Sequence, residues 1–122
     1  MRARKPLIVI AVIALCGVVF AGTAIAGGTR TNVSIEAQQG GFFGFVSSKK
    51  QKCEAGRKVV LYKQKGGEQQ PREDKKIGHD IAQPNGPDSM WSINTDKSGK
   101  FYAKAVETSS CHKAFSETVH SQ

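Results

Sequence analysis

Seven short runs of β-forming residues are spaced along this chain, and no stretch shows a helical period with caps at both ends. The runs are 31–36 (TNVSIE), 42–47 (FFGFVS), 57–63 (RKVVLYK), 76–82 (KIGHDIA), 90–94 (MWSIN), 100–106 (KFYAKAV) and 114–120. Clusters of Gly, Pro, Asn, Asp and Lys separate them. Val33 and Ile35 alternate with polar neighbours, as do Trp91 and Ile93. In 57–63 the apolar residues face both ways, as expected of a strand central in a two-layer structure. Gly44 inside an aromatic run marks a bulge or a close approach of another backbone. So many short strands at this spacing predict a single all-β sandwich.

The N-terminus precedes that domain and is chemically distinct from it. Arg2, Arg4 and Lys5 form a positive region, an uncharged apolar run follows, and Ala24-Ile25-Ala26 offers a small-x-small cleavage site. These are the parts of a secretory signal peptide, a helix-forming segment expected to be removed near Ala26. The alternative is an uncleaved N-terminal membrane anchor. Lipidation at Cys16 does not fit, because Leu15 stands where a small residue is required. The expected organisation is therefore 1–26 signal peptide, 27–41 a loose leader with a first strand, and 42–122 the sandwich domain.

Cleavage changes the charge and the cysteine count. The formal charge of +8 falls to +5 once Arg2, Arg4 and Lys5 are removed. Cys16 is lost, and Cys53 and Cys111 remain as an even pair, which in an exported protein predicts one disulfide. Its long loop makes the expected stabilisation about 4 kcal/mol.

Phe45, Trp91, Phe101 and Phe115 are the expected core aromatics, with Phe42 and Tyr102 the candidates for an exposed platform. Residues 95–99 read as a hairpin loop and 83–89 as a turn around Pro84-Asn85-Gly86-Pro87. Residues 64–75 read as a long mobile loop.

Catalytic signatures are absent. His79, His112 and His120 lack metal-motif spacing, no serine sits in a nucleophile elbow, and no acidic spacing fits a calcium loop. Catalytic, metal and cofactor residues are accordingly assigned to none. Asn32-Val33-Ser34 is a formal glycosylation sequon. Lys49, Lys50, Lys52, Arg57 and Lys58 lie close in sequence and form a candidate anion-binding surface. The competing role for such lysines is to blunt a sheet edge against aggregation.

Several fragments occur in a fixed order: Phe43-Gly44-Phe45-Val46, Cys53, Arg57-Lys58-Val59-Val60-Leu61-Tyr62, Gly78-x-Asp80, Trp91, and Thr95-Asp96-x-x-Gly99-Lys100-Phe101-Tyr102-Ala103. In this order they resemble the carboxypeptidase regulatory-like (transthyretin-like, prealbumin-type) family, and in particular its small secreted bacterial members. The resemblance implies a seven-stranded Greek-key sandwich and an accessory, adhesive or structural role without catalysis. The expected function is an exported, non-enzymatic binding or structural protein at the cell surface or in the medium. Anionic wall polymer, glycan or another secreted protein are the expected partners, and nucleic acid is not. The alternatives are a small secreted hydrolase and an inhibitor of a secreted peptidase.

Overall fold

A computed structural model describes residues 28–121. The expected signal segment lies outside them. Ten strand segments follow in order: β1 (Thr31–Val33), β2 (Glu36–Gln38), β3 (Gly41–Ser48), β4 (Lys58–Gln64), β5 (Lys75–Ile81), β6 (Gln83–Asn85), β7 (Asp88–Asn94), β8 (Gly99–Ala105), β9 (Ala114–Phe115) and β10 (Val119–Ser121). The first sheet runs β1-β3-β7-β6, with β2 also paired to β3. The second runs β10-β8-β4-β5, with β9 also paired to β8. All these pairings are antiparallel, and the two sheets make a β-sandwich.

Each of the seven runs contributes strand, and three of them are divided or extended for physical reasons. The first breaks at Ser34-Ile35. There the Ser34 carbonyl accepts the Trp91 indole N–H at 3.2 Å, and Ser34 Oγ accepts the Phe45 N–H at 2.9 Å in its place. Gly44 makes room for this exchange, since a Cβ on it would collide with the Ser34 carbonyl and lie 2.8 Å from the indole nitrogen. The fourth run continues past its expected end. The chain passes through buried Ala82, whose N–H donates to the Arg57 carbonyl, and enters the other sheet as β6. Residues 83–89 are thus a short strand and a tight hairpin rather than turn alone, with Asn85 paired to Asp88. The last run divides because Glu117 and Thr118 together stand opposite Tyr102, a β-bulge between Phe115 and Val119.

The core lies between the sheets. Phe42 and Val46 of β3 and Trp91 and Ile93 of β7 meet Val59 and Leu61 of β4 and Phe101 and Ala103 of β8. The Phe42 and Phe101 rings are 4.5 Å apart and join the two layers. Burying each such ring contributes about 1.5–3 kcal/mol. Two expectations are corrected here. Phe45 and Phe115 do not fill the core, and Phe42 and Tyr102 are not exposed. In β3 the close approach at Gly44 fixes which parity faces inward, so Phe42 enters and Phe43 and Phe45 turn out.

One end of the sandwich is closed by the disulfide and by Arg57. Cys53, at the end of a 3-10 turn (Gln51–Cys53), is bonded to Cys111 with a Cα–Cα distance of 5.6 Å, and both residues are buried. Arg57 is 2% exposed. Its guanidinium donates to the carbonyls of Cys53, Val106 and His112 and to the Thr31 hydroxyl at 2.7–3.0 Å. Five donors in a rigid fork suit four acceptors from four separate segments, which a lysine could not span. Desolvation lowers the Arg57 pKa, opposed by the charge of Glu107. The expected loose leader is tied into the same end. The Thr29 N–H donates to the Ser110 carbonyl, and the Thr29 carbonyl accepts from His112.

Candidate functional site

Alternation along β4 decides what the second sheet shows to solvent. Val59 and Leu61 point into the core, so Lys58, Val60, Tyr62 and Gln64 point out. Register then sets their neighbours: Tyr102 opposite Tyr62, Lys104 opposite Val60, His79 opposite Val60, Lys76 opposite Tyr62, and Phe115 opposite Lys104. Val60, Tyr62 and Tyr102, with Val106 against them, form a second apolar cluster outside the main core. The two tyrosine rings stack 5.1 Å apart.

Residues 65–74 cover that cluster as a flap. Asp74, 8% exposed, holds it. Its carboxylate accepts the Tyr102 hydroxyl at 2.6 Å, the Gln70 N–H at 2.7 Å and the Lys65 N–H at 2.9 Å. Gln69 donates to the Ser116 carbonyl and the Thr118 hydroxyl, and Lys100 donates to the Gly66 carbonyl. The long connection read as mobile is therefore pinned at both ends and in the middle. Desolvation pushes the Asp74 carboxyl up, but the Tyr102 hydroxyl, the two amides and the nearby Lys65 charge outweigh it. The group sits below the usual carboxylate range. Burial, followed by the hydrogen bond to Asp74 and its charge, lifts Tyr102 well above the usual phenol range. Both groups are committed to holding the flap.

Two depressions open on this face. The larger, about 590 Å³, lies between the flap and β8–β9 and is lined by Arg72, Lys104, Lys113 and Phe115, with Glu73 as its one carboxylate. The smaller, about 190 Å³, is lined by Lys58, Lys76 and His79 around Val60. Lys104 also reaches Glu107 at 3.7 Å and lies 5.7 Å over the Phe115 ring. Cations around an exposed aromatic ring are suited to hold an anionic ligand that also has an apolar or ring surface.

The basic residues singled out from sequence do not stay together. Arg57 is buried with its donors used inside, so it leaves the anion-binding set. Proximity in sequence placed it there, but its parity at the start of β4 turns it inward beside Val59. Lys49, Lys50 and Lys52 are exposed around the turn at the disulfide end, and Lys49 lines a depression with Arg30, Glu54 and Asp88, a neutral mixture of charges. Lys58 alone joins the cationic face. Its partners Lys76, Lys104, Lys113 and Arg72 come from distant segments. Strand period in 100–106 places Lys104 on the same side as Tyr102, but no local pattern marks Lys76, Lys113 or Arg72 as its neighbours. His79 is exposed on this face, His120 is exposed on β10, and His112 lends its carbonyl to Arg57. Among the described residues no group of three His, Cys, Asp or Glu side chains is gathered. Comparison with family models, with curated proteins and with solved structures finds no match to this chain.

Proposed function

We propose that this chain is an exported binding module, without catalysis, that attaches to an anionic partner at the cell surface or in the medium. The observation that carries this reading is the gathering of Lys58, Lys76, Lys104, Lys113 and Arg72 around two depressions on one face of the sandwich. The Cys53–Cys111 bridge supports an oxidising destination, as the N-terminal signal does. The antiparallel two-sheet architecture is the kind of sandwich that the resemblance to the carboxypeptidase regulatory-like family implies, and the modules of that family work by attachment.

The test is to collect the exported protein, sequence its N-terminus, and measure retention on isolated cell envelopes and on a polyanion resin across a salt gradient. Cleavage near Ala26 and salt-reversible retention are expected. Retention on neither, together with a hydrolytic activity lost on changing one His or Asp, would overturn the reading. The inhibitor alternative requires a stiff, extended loop that a peptidase can pair with as a strand. The flap is stiff, but the Glu73 and Asp74 N–H groups both donate back to the Gln70 carbonyl, which closes it into a turn. That geometry favours binding over inhibition.

A further inference from the structure

The larger depression has features that a diffuse positive surface lacks, and an inference from them rests on the binding reading above. We propose that it takes an acidic sugar unit of a polyanionic glycan, with the carboxylate or sulfate facing Arg72, Lys104 and Lys113 and the ring against Phe115.

A volume of about 590 Å³ falls within the range of small-ligand pockets, roughly 300–1,000 Å³, and accommodates a short stretch of glycan. Three cations line the depression against the single carboxylate of Glu73, and only Lys104 has a salt-bridge partner among the described residues. Glu107 lies near enough to Lys104 and Lys113 to offset part of their charge, and Arg72 adds a planar fork that matches a carboxylate or sulfate. Phe115 supplies the ring surface. It is 38% exposed, on a face whose other aromatic rings, Tyr62 and Tyr102, are buried. One exposed ring suits one sugar face. Binders of single-stranded nucleic acid instead stack successive bases on several rings.

Gln69 ties the flap wall to Ser116 and Thr118, next to the Phe115 wall, and Asp74 holds the turn that carries Arg72. The depression thus exists before a ligand arrives, which reduces the ordering cost of binding.

The test titrates the exported, oxidised protein with four probes: a galacturonate hexasaccharide, a heparin-derived hexasaccharide, neutral cellohexaose and a twelve-residue oligothymidylate. Either acidic hexasaccharide should bind in preference to cellohexaose and shift the amide resonances of Arg72, Lys104 and Phe115. Phe115→Ala and Lys113→Ala should each weaken that binding about tenfold, with the melting temperature showing that both variants fold. Lys49→Ala combined with Lys50→Ala should change it less than about twofold, because those lysines sit around the turn at the disulfide end and line neither depression of this face. Polyanion retention that persists while both depression variants bind the hexasaccharides normally would overturn this subsite and leave the broader reading standing. Failure of the unaltered protein to bind any polyanion would overturn both. Tighter binding of oligothymidylate, lost in Phe115→Ala, would overturn the glycan assignment in favour of nucleic acid.

Discussion

The two outer faces of the sandwich are made from strands of similar number and length, yet their chemistry is opposed. No Lys or Arg occurs in the strands of the first sheet, whose charges are Glu36 and Asp88. The strands of the second sheet carry Lys58, Lys76, Lys100 and Lys104 at outward positions. The first face shows Phe43 and Phe45, edge to face at 6.3 Å, with Ser92 opposite Phe43 and Met90 opposite Phe45. The second face carries its own apolar cluster, a flap and two cationic depressions. A modest net charge therefore conceals a strongly sided molecule, and it is local charge that guides an anionic partner.

The faces are also held differently. The first sheet depends on a close backbone approach, at Ser34, Gly44 and Trp91. The second depends on a buried carboxylate, Asp74. Four perturbations test the comparison.

Loss of the disulfide should have the largest effect and should not distinguish the faces, because it closes an end they share. The bridge spans 58 residues, and Cys53→Ser with Cys111→Ser should cost about 4 kcal/mol by denaturant unfolding. Gly44→Ala should come next, at about 3 kcal/mol, since the new Cβ would displace the Ser34 carbonyl and its bond to Trp91. Below its melting temperature this variant should still bind polyanion, because the second face is untouched. Loss of polyanion binding by the folded variant would show that the faces are coupled.

Asp74→Asn should cost about 2 kcal/mol, through the loss of a charged acceptor shared by Tyr102 and two amides. It should also weaken hexasaccharide binding by freeing the flap, while Trp91 fluorescence stays unchanged. The pH dependence follows from the depressed folded pKa. The stabilisation is present above the unfolded carboxylate pKa, about 4, and is lost as pH falls through the lower folded value. Unfolding at acid pH should therefore show a slope in the parent protein that Asp74→Asn flattens. The smallest effect belongs to Phe43→Ser with Phe45→Thr. These half-buried residues should cost about 1 kcal/mol or less and leave polyanion retention unchanged. A fall in retention would move the binding face to the first sheet.

Much of the fold was legible in the residues. The expectation that 57–63 is apolar on both sides holds, with Val59 and Leu61 in the main core and Val60 and Tyr62 in the second cluster. Covalent arithmetic identified the Cys53–Cys111 pair. Phe45 and Phe42 were assigned to the wrong sides because a run of aromatics has no polar neighbour to mark its parity. The flap was read as mobile because its composition is polar, and nothing local tells that Asp74 will meet Tyr102 across 28 positions. Arg57 was grouped with exposed lysines for the same reason, since its acceptors come from Thr31, Cys53, Val106 and His112.

By itself the sequence determined the strands, the pair of cysteines and the uneven supply of lysine to particular runs. These are properties of local period, covalent chemistry and composition. Only the tertiary structure decided which lysines share a face, which aromatic ring stays exposed, and that a polar loop becomes the wall of a depression. Those depend on strand register and on hydrogen bonds between distant segments, where a shift of one residue would turn every side chain to the opposite side.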